Sequence, residues 1–227
     1  MTPAISNSDP PRRAVVLGAT GLVGQQLLKL LTADPKYEQI TLLVRRPLES
    51  SSPKWITHVI DFERPEQWQP HITGDVLFSC LGTTINVAKT KDAQFRVDHD
   101  YPLWAAQAAA KNGVSNYVLI SSTGANAKSR IFYSRIKGQL EDAVAALDFK
   151  SCNILRPGIL DGKRTENRPA ERLTLKVLRK VPAWVLPPSA RPSPVIQVAQ
   201  ACLNADQLGK RGVHFIEAAQ ILEARVG

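Results

Sequence analysis

An apolar run, Ala14 to Leu17, halts at Gly18, and glycines recur at Gly21 and Gly24 before a helical pattern of leucines begins. Few local patterns constrain a fold as tightly. A strand, a turn of small residues and a helix in this order predict the first β-turn-α junction of a dinucleotide-binding sheet. The first glycine lets the chain turn sharply off the strand. The second leaves room for a pyrophosphate to approach the backbone, and the third lets the helix pack closely on the sheet. Unpaired N–H groups and the positive end of the helix dipole then face the phosphates. The spacing is G-x-x-G-x-x-G, and a glycine triplet alone also suits a tight turn with no ligand.

The rest of the chain extends this start. The first helix reads from about Leu22 to Thr32, with Leu22, Val23, Leu27, Leu30 and Leu31 on its buried face, and Asp34-Pro35 ends it. Further strands read at 40–44, 58–60, 75–81, 117–121 and 152–155. A long helical stretch with an Ala-rich end stops at Asn112-Gly113, and another helix covers about 132–147. Alternation of this kind predicts an α/β, Rossmann-type doubly wound parallel sheet with helices on both faces. Residues 161–172 read as a charged loop and Leu173 to Val181 as a basic helix. The proline-rich run from Pro182 to Pro194 reads as irregular, 195–203 as a helix and 213–216 as a late strand. The expected organisation is a flexible tail at 1–12 and one NAD(P)-binding domain over 13–227. Within it, residues 161–194 form a small variable segment on the substrate side.

Composition sharpens the classes. With 227 residues, 44% apolar and 22% charged, the chain suits one α/β domain with a sizeable core. A net charge of +9 points to an anionic partner such as a phosphorylated cofactor. Nucleic acid is disfavoured, because the basic residues are dispersed and not interleaved with aromatics. Cys80, Cys152 and Cys202 show no paired spacing and read as reduced core residues of a cytoplasmic protein. The histidines never fall at ligand spacing, so no metal site is expected. No apolar run approaches the length of a membrane span.

Polar residues cluster where a doubly wound sheet binds ligands, just beyond the carboxyl ends of the strands. Gly18, Arg45, Asp61, Gly82, Ser122 and Arg156 all hold such positions. Arg45 and Arg46 follow the second strand, where a positive side chain suits a ribose 2′-phosphate. On the helix after the fifth strand, Tyr133 and Lys137 are one turn apart on one face. A nearby ammonium favours a phenolate and draws the tyrosine towards the working pH range. Ser122 lies upstream, at the end of the neighbouring strand, placed to hydrogen-bond a carbonyl oxygen. Ser121 and Thr123 flank it and are alternatives for that role.

Taken together, Gly18-Ala19-Thr20-Gly21-Leu22-Val23-Gly24, Ser121-Ser122-Thr123-Gly124-Ala125, Tyr133 with Lys137, and Arg156-Pro157-Gly158 resemble an atypical, extended-like short-chain dehydrogenase/reductase. The segments Leu43-Val44-Arg45-Arg46, Cys80-Leu81-Gly82-Thr83-Thr84, Val97-Asp98-His99-Asp100-Tyr101 and Lys137-Gly138-Gln139-Leu140-Glu141 are most similar to the Tat-interacting protein family of oxidoreductases and its bacterial relatives. The resemblance implies NADP(H) as cofactor and Ser122, Tyr133 and Lys137 as the catalytic set. Gly18, Thr20, Gly21, Leu22, Val23 and Gly24 would bind the cofactor at the glycine turn. Arg45 and Arg46 would hold the 2′-phosphate, and Asp61 and Phe62 would border the adenine. Leu81, Gly82 and Thr83 would border the ribose and nicotinamide, and Pro157 and Gly158 the carboxamide. The expected substrate is a small carbonyl, enone or quinone-like molecule. The competing expectation is an NADPH-binding redox sensor that acts through a protein partner. A homodimer suits either reading.

Overall fold

A computed structural model describes residues 10–49, 51–162 and 191–225. The chain runs β1 (Arg12–Leu17), α1 (Leu22–Ala33), β2 (Tyr37–Val44), β3 (Trp55–Val59), α2 (Pro65–Trp68) and β4 (Val76–Ser79). Next come α3 (Ile85–Ala88), α4 (Lys91–Phe95), a π turn over Arg96–Asp100, α5 (Tyr101–Lys111), β5 (Asn116–Ile120) and α6 (Phe132–Ala145). The last elements are β6 (Ser151–Arg156), β7 (Leu160–Asp161), β8 (Ser193–Pro194), α7 (Val195–Leu208), β9 (Gly212–Glu217) and α8 (Ala218–Leu222).

Seven strands form one sheet in the order β3-β2-β1-β4-β5-β6-β9, and every pair is parallel. Parallel strands are buried on both faces, so β1, β2, β4 and β5 read as nearly continuous apolar runs. Alternate residues feed two cores. Val16, Leu42 and Phe78 pack with Leu27 and Leu31 of α1 and Val198 and Cys202 of α7. Val15, Leu43 and Leu77 pack on the opposite face with Ala105 and Ala109 of α5 and Leu140 and Val144 of α6. The small side chains of α5 bring that helix close to the sheet.

Helix α7 is tied across the sheet by one buried carboxylate. Asp206 accepts from Arg12 Nη2 at 2.7 Å, Tyr37 OH at 2.5 Å and Asn116 Nδ2 at 2.8 Å. These partners come from β1, β2 and β5, so a single side chain fixes α7 over the centre of the sheet.

Strand order reverses direction at β1, whose neighbours are β2 and β4. The crevice beyond β1 and β4 is therefore the topological switch point, where this sheet class takes ligands. Several element bounds differ from the sequence reading. The third strand begins at Trp55 and not at His58; as an edge strand it has no fully buried residue and so no continuous apolar run to mark its start. The fourth ends at Ser79, two residues early, where the chain turns past Gly18. On α1, Leu28 is buried in place of Leu22 and Leu30. The long helix before Asn112 runs without a gap from Lys91 to Lys111 with the π turn inside it, and Lys89 at φ +71° separates it from α3. Ser193–Pro194, inside the run read as irregular, pairs with Leu160–Asp161. The basic helix read at 173–181 lies outside the described residues.

Candidate active site

A cavity of about 910 Å³ follows the carboxyl ends of the central strands. Its floor begins at the glycine turn. Gly18 has φ +80°, and a Cβ there would lie 2.7 Å from the backbone of Cys80, so β1 and β4 converge on a position only glycine can hold. Gly21 caps α1 without any side-chain hydrogen bond, which leaves the first-turn N–H groups open towards the cavity. Gly18, Thr20, Gly21, Leu22 and Val23 line this end; Gly24 does not. Gly24 is buried under the turn, where it lets α1 touch Gly18.

At the β2 end the cavity passes Leu43, Val44 and Arg45, but Arg46 lies outside its lining. Among the described residues, no carboxylate pairs with either arginine. Phe62 lines the cavity and is held by an edge contact with Trp68 and by stacking on Tyr101 at 4.9 Å. Asp61 lies outside the lining and faces Arg64 at 3.7 Å. Leu81, Gly82 and Thr83 form the wall after β4.

The other half of the cavity contains Ser121, Ser122, Thr123, Tyr133, Lys137, Pro157 and Gly158. Three successive hydroxyls follow β5, and their hydrogen bonds separate them. Ser121 donates to Glu141 in a buried pair, and Thr123 donates to the Arg156 carbonyl at 3.0 Å. Among the described residues, Ser122 has only a long contact, 3.3 Å, to the neighbouring Thr123 carbonyl. It is thus the hydroxyl of the three least committed to the protein.

Tyr133 opens α6 and is 37% exposed, whereas Lys137, one turn later, is only 1% exposed. The Lys137 ammonium donates to the Ile120 carbonyl at 3.2 Å. Burial lowers its pKa from the ordinary lysine value, and the charges of Asp98 and Glu141 act in the opposite direction. Asp98 is fully buried in the π turn, and its carboxylate receives the Thr83 N–H at 3.3 Å. Glu141 is gripped by Arg156, through Nη2 at 2.6 Å and Nε at 3.1 Å. Neither carboxylate was assigned a part by the sequence, although both lie inside quoted motifs. A charged residue buried beside a lysine was the available signal, and only tertiary burial reveals it. Cys80, partly buried beside the glycine turn, has its thiol pushed up to about 12 by burial, which favours the protonated form at neutral pH.

Among the described residues there is no cluster of three or more metal-ligating side chains, and no helix is long and apolar enough to cross a membrane.

Comparison with known proteins bears on this geometry. A family described as NAD(P)H-binding matches residues 18–180. Protein HTATIP2 of Rattus norvegicus is 37% identical over 194 residues, covering 83% of this chain and 78% of its own. The protein fmp52, mitochondrial, of Emericella nidulans is 37% identical over 200 residues, covering 84% and 85%. Among solved structures, a UDP-galactose 4-epimerase superposes with a TM-score of 0.68 at 18% identity, covering 90% of this chain and 76% of that one. The Bordetella bronchiseptica enzyme WbmG in complex with NAD gives 0.67 at 12% identity, covering 94% and 74%. These two likenesses speak to the fold. With the glycine turn at the switch point and the cavity above it, the chain belongs to the NAD(P)H-binding family of atypical short-chain dehydrogenase/reductases.

Proposed function

We propose that this protein is an NADPH-dependent oxidoreductase acting on a small carbonyl, enone or quinone-like substrate. One observation carries the reading: Ser122, Tyr133 and Lys137 line the same cavity that begins at the glycine turn. The residues fit the cofactor. The uncapped start of α1 suits the pyrophosphate, and Arg45 suits the 2′-phosphate. Phe62 presents an apolar face at the adenine end, and the cavity is long enough to continue to Lys137.

When bound, the nicotinamide supplies or accepts a hydride. The protein's part is positional and acid–base. Ser122 donates a hydrogen bond to the substrate carbonyl oxygen. Tyr133 gives its phenolic proton to that oxygen as the carbonyl carbon is reduced, and the phenolate recovers a proton from solvent. Lys137 favours the phenolate by its charge and holds the ribose. The competing reading, a regulator that reports cofactor binding to a protein partner, needs no proton relay. The cysteines suit a reducing compartment, and we place the protein in the cytoplasm, although the fungal relative is named as mitochondrial.

The test is loss of NADPH absorbance over a panel of small aldehydes, ketones and quinones. Tyr133→Phe should lower turnover by about 10²-fold or more. NADPH affinity should stay within a few-fold, because the ring remains. Wild-type turnover by that variant on a confirmed substrate removes Tyr133 from the mechanism, and no turnover of any carbonyl by the native protein favours the regulator.

A further inference from the structure

Behind Lys137, away from the cavity, Glu141 joins four elements. It lies on α6 one turn beyond Lys137 and is 2% exposed. The Ser121 hydroxyl donates to it from the end of β5, and the Arg156 guanidinium from the end of β6 meets both its oxygens. Arg156 also reaches Glu217 of β9 at 3.0 Å and stacks on Phe215 at 4.4 Å. The same carboxylate therefore holds the strand end that leads to Ser122 and stands beside the amine of Lys137. A buried lysine needs compensating charge to remain an ammonium.

We propose that Glu141, clamped by Arg156, is a positioning residue of this site: it fixes the Ser121–Thr123 segment to α6 and joins Asp98 in supplying the charge that keeps Lys137 cationic beside Tyr133. The proposal rests on reading Tyr133 and Lys137 as the proton-relay pair. The charged groups acting on Lys137 are Asp98 from the π turn and Glu141 from its own helix. Arg156 stands behind Glu141. Arg156 offsets only part of the Glu141 charge at Lys137, since Glu141 acts on the ammonium and Arg156 stands behind it. Loss of Glu141 leaves Arg156, still paired with Glu217, without its buried anion, and loss of Arg156 leaves the buried Glu141 anion without its cation. A merely structural clamp would loosen in both cases and move the site the same way.

The chain offers its own reporter. It has four tyrosines. Burial and the Asp206 carboxylate push Tyr37 far up, burial pushes Tyr117 far up, and burial with the Glu63 contact takes Tyr101 to about 12. The first phenolate to form on raising pH should therefore belong to Tyr133, read by its near-ultraviolet absorbance with no substrate or cofactor present. Tyr133→Phe identifies the phase by abolishing it. Glu141→Gln should raise the midpoint by about one unit, towards the ordinary tyrosine value. Arg156→Gln should move it in the opposite direction, the double variant should fall between wild type and Glu141→Gln, and Glu141→Asp should hold it. Far-ultraviolet dichroism checks that each variant is folded; if either single variant is not, the double variant and Glu141→Asp decide. An unmoved midpoint in Glu141→Gln, shifts of one sign in both single variants, or a double-variant midpoint below that of the native protein overturns the proposal. A native Tyr133 that ionises only at about 10 instead overturns the Tyr133–Lys137 pairing itself, and this proposal with it.

Discussion

Gly24 touches Gly18 across the first turn so closely that a Cβ on Gly24 would lie 2.1 Å from the Gly18 carbonyl oxygen. Gly21, between them, is different. Its φ of −75° suits any residue, and a Cβ there meets the Gly18 carbonyl oxygen at 3.2 Å and the Cys80 carbonyl oxygen at 3.9 Å. The same motif thus contains a glycine needed for packing and one left open to a ligand. Gly24→Ala should prevent or severely weaken folding, because backbone must move to admit the methyl group. Gly21→Val should fold with near-native dichroism yet lose NADPH binding by a large factor. Thermal melts and cofactor titration of both variants separate the two roles. A Gly21→Val protein with native affinity would make the turn purely structural.

A second prediction concerns Asp206. Removing one member of a buried charged network costs roughly 3–5 kcal/mol. The lower end applies here, since burial already raises the Asp206 pKa and makes its charged form costly. Asp206→Ala should therefore lower stability by about 3 kcal/mol. Tyr37→Phe, which deletes a single donor, should cost about 1.5–3 kcal/mol. Urea unfolding of both variants measures these values, and equal losses would mean that Arg12 and Asn116 contribute nothing.

Much of the fold was legible because it rests on local chemistry. Gly18, the apolar strands and the Tyr133–Lys137 spacing each express a constraint visible within a few residues. The site's supporting charges were not. Asp98 is buried only because the π turn changes the helical register, and a pattern read at 3.6 residues per turn cannot show that. Glu141 stands in the sequence only as the last residue of the Lys137–Glu141 segment, and its burial comes from the packing of α6. The choice among Ser121, Ser122 and Thr123 also needed tertiary partners, since sequence offers three equivalent hydroxyls and only Glu141 and the Arg156 carbonyl distinguish them. Arg45 and Arg46 read as a pair, but the chain at the end of β2 sends only the first towards the cavity.

His58 and His71, thirteen positions apart in sequence, stack with ring centroids 3.9 Å apart and planes inclined by 16°. Burial first, and His71 second, lower the His58 pKa. The fold thus favours the neutral ring. Its contribution to stability is complete above the unfolded value of about 6.5 and is lost as pH falls below it. Urea midpoints measured at pH values on either side of this window should drop more for the native protein than for His58→Gln. Identical pH dependence in the two proteins would show that the stack carries no charge penalty.

Cofactor choice is the last prediction, and it turns on Arg45. A 2′-phosphate carries close to two charges at neutral pH, and each hydrogen bond to a charged group is worth about 1.5–3 kcal/mol. The arginine is exposed, so solvent and salt reduce that figure to its lower end. What remains still favours NADPH over NADH by at least about tenfold, since about 1.4 kcal/mol corresponds to a factor of ten. Arg45→Ser should remove most of this preference while leaving NADH affinity nearly unchanged, because NADH lacks the phosphate. Arg46→Ser should remove less, since Arg46 lies outside the cavity lining and can act only through longer-range attraction. Rising salt should compress the native preference and leave the Arg45→Ser protein almost indifferent. Titrating both cofactors against the three proteins at two ionic strengths decides it: equal native affinities, or a preference that survives Arg45→Ser, would make this arginine an ordinary surface charge.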